Sequence, residues 1–350
     1  MILIDKTKNR QNTKYMKPLV LLVLIALFSC SNSGNSDVNF NDNAAISDWN
    51  VPIENIAGSG SFPVMDNPIY NSVAEVEAKN YLNGNSKLAL LKIENEVYAY
   101  PFDYTNNYEV INDSFGDIHV AITYCPITES ALCFDRKIST NEIITMKASG
   151  FLFKDNLIPT DINLKYYWSQ MLGESIRGDN LELKLKTYNI VESTWQIVKD
   201  HFPDALVFNH PDVVDCNCNE TPTPIDFNNL FGVIHGHVLK SDITHLFNYN
   251  DFENGNKISY VSVNSQNVLV VGSKNKVFFN AFYIPGNLNF EVLEESEFPN
   301  VLQDNEGNKW DIFGYAVEGQ RLGDKLNSPK SYVAAEWAWN TIFEDLVYHN

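Results

Sequence analysis

The chain has 350 residues, 44% of them hydrophobic, which suffices for one large packed body or two ordinary ones and excludes global disorder. The formal charge is −19, and removing residues 1–29 leaves 20 Lys and Arg against 43 Asp and Glu, or −23. A body this acidic repels phosphate backbones and anionic lipid, so nucleic-acid binding is excluded and any membrane attachment must lie at the N-terminus. The 21 Phe and 17 Tyr favour strands over a helical bundle.

In chain order, Lys14 and Lys17 precede the apolar run from Leu19 to Phe28. A basic segment followed by an apolar one of this length reads as a signal peptide, being too short for a bilayer-spanning helix. The run ends in Leu27-Phe28-Ser29-Cys30, which is similar to a bacterial lipobox with Cys30 as the lipidated residue. The first 15 residues add nothing to such a signal, so translation starts at either Met1 or Met16. Residues 1–29 are thus expected to be cleaved and residues 30–55 to form a flexible tether. The expected localisation is outside the cytoplasmic membrane, lipid-anchored, at the outer membrane.

A first half is expected over residues 56–210. Leu88–Ile93 and Val97–Tyr100 flank a turn at Asn95-Glu96 and read as a hairpin that Pro101 closes. The cluster from Asn112 to Asp117 is a turn feeding a β-branched strand over Ile118–Tyr124, which ends near Cys125. Residues 129–135 and 143–153 read as further strands, and Ser193 to Phe202 as a short helix capped by Ser193. A linker over 211–229 carries Cys216 and Cys218, with His210 and Asp215 beside them. The second half, 230–350, repeats the order: a hairpin around Gly236, then a strand pair over 268–272 and 276–279. Trp168 precedes Gly173 and Gly178 as Trp310 precedes Gly314 and Gly319, and a Trp-bearing helix follows each block (Trp195; Trp337 and Trp339). This shared order predicts an internal duplication. The expected fold is α+β and β-rich, with two similar halves packed into one body.

Four cysteines remain in the mature chain: Cys125, Cys133, Cys216 and Cys218. Disulfides are permitted outside the cytoplasm, and the alternatives include a Cys125–Cys133 staple across a hairpin, bridges pinning the 211–229 loop, or free thiols. Cys216-Asn217-Cys218 could also hold a soft metal. Glu109, Asn112, Asp113 and His119 lie close in sequence to Tyr124 and Cys125, a set able to bind a ligand or metal, although Asn112-Asp113 is equally turn chemistry. His235-Gly236-His237, with His245 beyond, has the spacing of a metal pair but reads better as a hairpin turn. No nucleophile elbow, phosphate-binding glycine loop, HExxH or dinucleotide fingerprint occurs.

Several segments together resemble a bacterial and archaeal family called domain of unknown function 3179. Glu96–Pro101 is similar to its G-E-A-R-A-Y-P, Glu109–Asp113 to its H-E-I-V-N-D, and Tyr124–Ile127 to the start of its T-Y-C-P-L-C. Phe134-Asp135-Arg136 matches its F-D-R, and Ser149-Gly150, Asp161 and Trp168-Ser169-Gln170 fit its S-G…D…W-S-Q run. The resemblance runs over residues 88–210, and the two related halves typical of the family imply that it extends over most of the mature chain. Two reactive positions differ: Tyr108 stands for the family's His, and Thr128 for the second Cys of C-P-L-C. Without that second thiol, dithiol exchange is not expected. The functional expectation is a small-ligand or metal-binding protein, no particular cofactor being indicated, with the site around Cys125, Asn112, Trp168 and Ser169. A thiol- or metal-dependent enzyme and a purely structural surface lipoprotein are the alternatives.

Overall fold

A computed structural model describes residues 49–60, 62–80, 82–105, 107–178, 183–209, 225–234 and 243–349. All of them belong to a compact unit of residues 38–350. Cys30, the signal segment, His210, Cys216, Cys218, His235 and His237 lie outside the described residues. The described residues are 51% strand and 13% helix, and their small sheets form a six-blade, propeller-like ring.

The first three sheets come from residues 56–209. In sheet I the strand order is Val191–Thr194, Lys87–Ile93, Glu96–Pro101, Leu206–Asn209, Ile69–Ser72. Sheet II runs Thr187–Tyr188, Ser130–Asp135, Ile118–Cys125, Val110–Phe115, Met65–Asp66. Sheet III runs Ile56–Gly58, Met146–Phe153, Asn156–Asp161, Tyr166–Ser169, Glu174–Gly178. One extended segment, residues 56–72, therefore adds an outer strand to each of the three sheets in turn.

The later residues build three more. Sheet IV runs Ser331–Ala334, Leu230–Ile234, Ile243–Asn248, Asp345–His349; sheet V runs Lys257–Val263, Gln266–Ser273, Phe278–Tyr283; sheet VI runs Phe290–Val292, Asn300–Asp304, Lys309–Asp311, Ala316–Glu318. Sheets I and IV share a strand order and pairing sense. Each has a central antiparallel hairpin, an antiparallel strand on one side, and a parallel strand on the other that follows a seven-residue helix (Trp195–His201; Glu336–Ile342). Backbone bonds recur as well. Gln170 N–H donates to Leu157 C=O at 3.2 Å, as Ile312 N–H does to Pro299 C=O at 3.0 Å. Arg136 N–H donates to His119 C=O, as Ile284 N–H does to Asn267 C=O, both at 2.9 Å. The Asp161 carboxylate accepts the N–H groups of Asn163 and Lys165, and that of Asp304 accepts those of Glu306 and Asn308. Gly178 and Gly319 end matching turns at φ 116° and 97°; a Cβ there would stand 2.3 Å from Lys165 O or 2.2 Å from Asn308 Oδ1.

The expected hairpin at 87–101 and the strand into Cys125 form as read, because alternate apolar side chains find a core on both sheet faces. In sheet II, Ile111, Val120, Ile122, Ala131 and Cys133 pack toward sheet I, while Val110, Ala121, Cys125, Leu132 and Phe134 pack toward sheet III. Three expectations differ. Thr194, not Ser193, caps the helix by accepting Ile197 N–H, and Ser193 Oγ instead donates to Lys276 C=O at 3.3 Å. Asn112 and Asp113 are not turn residues but lie inside the strand Val110–Phe115; the turn follows at Gly116-Asp117. Order begins before residue 56: Trp49 bridges Arg177, its ring 5.2 Å from the guanidinium, and Val51 is buried.

Candidate functional site

The strand alternation of sheet II decides what the sequence-selected side chains can do together. Asn112 and Asp113 are neighbours and so face opposite ways. Asn112 is fully buried: its amide donates to Met65 C=O and Met146 C=O and accepts Met146 N–H, each at 2.8 Å. It latches sheet II to sheet III, with both amide protons and the amide oxygen engaged. Asp113 turns toward sheet I, where Tyr100 donates to Oδ2 at 2.7 Å and Tyr70 donates to the same oxygen. Burial raises the Asp113 carboxyl above its usual range, while the two tyrosine bonds and Arg136 oppose that shift. His119 is bonded to Ser114 Oγ at 2.9 Å near the far end of its strand. Trp168 and Ser169 are wholly buried in the strand Tyr166–Ser169; the Trp168 indole N–H has no partner, and Ser169 Oγ accepts Leu172 N–H at 3.4 Å. The expected set therefore does not converge.

The cysteine staple fails for the same reason. Cys125 is opposite Ser130, whereas Cys133 is opposite Ile122, and the two side chains enter different cores. Both are buried free thiols. Burial pushes the Cys133 thiol well up.

Thr128 explains the loop that carries the resemblance to C-P-L-C. Its hydroxyl bonds Ser130 Oγ at 2.9 Å and accepts Asn156 Nδ2 at 2.9 Å. Ser130 donates to Gln170 Oε1 at 2.9 Å, and Gln170 Nε2 donates to Thr123 Oγ1 at 2.9 Å, which donates to Leu132 C=O at 3.0 Å. All five side chains are fully buried and mutually satisfied. At the positions matched by the recurring backbone bonds, the second half has Val271, Phe278, Phe298 and Ile312 in place of Thr123, Ser130, Asn156 and Gln170, all in the apolar core. The first half thus has a polar knot beneath the 125–129 loop, where the compared positions of the later residues are apolar.

The chemistry left over lies beside this loop. Glu129, at φ 49°, accepts Asn229 Nδ2 at 2.8 Å and pairs with Lys87 at 3.4 Å. Glu192 sits next to Ser193 on the outer strand of sheet I, 8% exposed, and Oε1 has no hydrogen-bond partner. Burial raises its carboxyl to about 8, with Lys87 pulling it down, Glu129 pushing it up and a bond from the Ala131 backbone lowering it. Tyr124 stacks on Phe102 at 4.1 Å between ring centres, and its phenol is raised by burial and then by Glu192 and Glu129. Tyr249, fully buried, also feels Glu192. Glu109 holds the Tyr124 N–H through its backbone at 2.9 Å, and burial lifts its half-buried carboxyl to about 7. Tyr124 and Glu109 were legible in the sequence. Glu129 and Glu192 were not, since Glu192 sits in a strand like any other polar residue and only burial without a partner marks it. Among the described residues, no three His, Cys, Asp or Glu side chains form a group able to hold a metal ion.

A family model described as a protein of unknown function (DUF3179) matches residues 59–223. That span takes in the first half and part of the linker after it, rather than most of the mature chain. No curated protein and no solved structure matches. The chain carries a domain of the DUF3179 family in its first half.

Proposed function

We propose that this chain is an exported lipoprotein, held at the outer membrane by lipid on Cys30, whose body binds a small polar molecule at the cluster of Lys87, Tyr124, Glu129 and Glu192. The observation that carries the binding reading is the Glu192 Oε1 atom, which is buried without a partner. An unpaired buried acceptor destabilises a fold by about 1–3 kcal/mol and is kept where a ligand or water satisfies it. A hydrogen-bond donor on the ligand, an ammonium or amide N–H, is the complement. At the edge of this cluster the Lys87–Glu129 pair is half-buried, its side chains 24% and 39% accessible. Both halves descend, in this reading, from one duplicated unit; the matched strand orders of sheets I and IV and the recurring bonds support it. In this reading the duplicated scaffold then diverged, with one copy retaining the polar knot and the Glu192 cluster.

The test is thermal melting of the full-length protein in detergent with ethanolamine, arginine and glucosamine as probes, for wild type and Glu192→Met. A rise in Tm with at least one probe that the variant loses is the expected result. If no probe shifts wild type, or the variant shifts equally, the binding reading is wrong.

A further inference from the structure

The two sheets with matching strand order differ at one edge. In sheet I the parallel strand Leu206–Asn209 is covered by Ile69–Ser72, part of the segment that also covers sheets II and III. In sheet IV the corresponding strand, Asp345–His349, is an outer strand with no covering strand among the described residues. The outer strands Lys257–Val263 and Phe290–Val292 of sheets V and VI are likewise uncovered, and each carries an exposed apolar side chain, Tyr260 and Val292. On Asp345–His349, Val347 is 40% and Tyr348 47% exposed. An edge with unpaired N–H and C=O groups beside apolar side chains is a template for strand addition.

Directly beside this edge lies a crevice of about 230 Å³. Its apolar lining is Leu230 and Leu246; Asp251 and Glu336 contribute carboxylates, Asn248 and Asn250 amides, and Tyr348 and His349 come from the edge strand. Main-chain pairing along an edge gives affinity, and a pocket next to it selects a side chain. A lining of two leucines and two carboxylates suits the aliphatic stem and charged head of Lys or Arg. Asp345 on the strand and the overall charge of −19 favour the same sign of partner.

We propose that the strand Asp345–His349 accepts an extended, basic segment of another protein as a fifth strand of sheet IV, with one Lys or Arg side chain seated between Asp251 and Glu336. This proposal does not depend on the small-ligand reading. The test is fluorescence anisotropy with the full-length protein in detergent and a labelled peptide Lys-Val-Thr-Val-Lys-Val. An acidic counterpart, Glu-Val-Thr-Val-Glu-Val, and a version of the basic peptide N-methylated at alternate residues serve as controls. The basic peptide is expected to bind saturably and to weaken with salt. The N-methylated and acidic peptides are expected to bind at least tenfold more weakly. The double variant Asp251→Asn/Glu336→Gln, whose changes fall on crevice carboxylates rather than the core, is expected to lose tenfold or more while keeping the wild-type Tm. Absence of saturable binding, equal binding of the N-methylated peptide, or unchanged affinity in the double variant overturns the proposal. So does a dimer in sedimentation that the basic peptide fails to dissociate, since a second copy would then own the edge.

Discussion

At the residue scale, the account turns on which polar side chains are finished and which are not. Asn112, Gln170 and Asn156 have their hydrogen-bonding capacity spent within the protein. Glu192 has not. Its carboxyl, about 8 in the folded chain against an ordinary value of 4.5, binds its proton more tightly folded than unfolded. The sign follows from linkage: stability is fullest below pH 4.5 for this group and is lost as pH rises toward 8. Glu109, at about 7, acts in the same direction over a narrower window. Glu192→Gln, neutral at every pH, is therefore expected to flatten the decline of stability between about pH 5 and 8 by on the order of a few kcal/mol, read by urea melts at each pH. A variant as pH-sensitive as wild type would show that Glu192 titrates normally.

At the element scale, strand alternation assigned the roles. The hairpin of residues 87–101 and the strand entering Cys125 were legible because apolar and β-branched runs between turn residues leave few alternatives. Their neighbours were not. Which face Asn112 or Cys133 occupies depends on register, and register is set by partners distant in sequence, such as Met65 and Met146. A sequence cluster of polar residues, Glu109 to His119, thus looked like one site and became a latch, a tyrosine-bonded carboxylate and a surface histidine. The covering segment 56–72 was equally hidden, since its strands are two to four residues long and too short for any periodicity. Asn112→Ala is expected to leave three buried backbone groups of Met65 and Met146 unpaired, lowering stability by about 3 kcal/mol or more in chemical denaturation. A loss under 1 kcal/mol would mean that water replaces the amide and that the latch is dispensable.

At the scale of the whole molecule, a six-sheet ring presents two unlike halves: one whose outer strands are covered, and one whose outer strands are bare among the described residues. The repeated Trp…Gly…Gly order hinted at matched blocks because buried tryptophans and positive-φ glycines leave recognisable letters. The difference between the halves, polar knot against apolar core, leaves no such letters. No helix among the described residues is long and apolar enough to cross a membrane; the anchoring proposal rests on the lipobox-like Leu27-Phe28-Ser29-Cys30. Cys30→Ser is expected to move the protein from the detergent phase to the aqueous phase on phase separation, because in the proposed reading the lipid on Cys30 supplies the attachment that an acidic body lacks. Unaltered partitioning would place the attachment elsewhere. The central claim, that Glu192 is a buried carboxyl awaiting a donor, is tested most directly by its own titration. Carbon-13 NMR of glutamate-labelled full-length protein, with Glu192→Gln to assign the signal, should show a midpoint near 8 that falls when an amine probe saturates the protein. A midpoint in the ordinary carboxylate range, unmoved by any probe, would contradict the account.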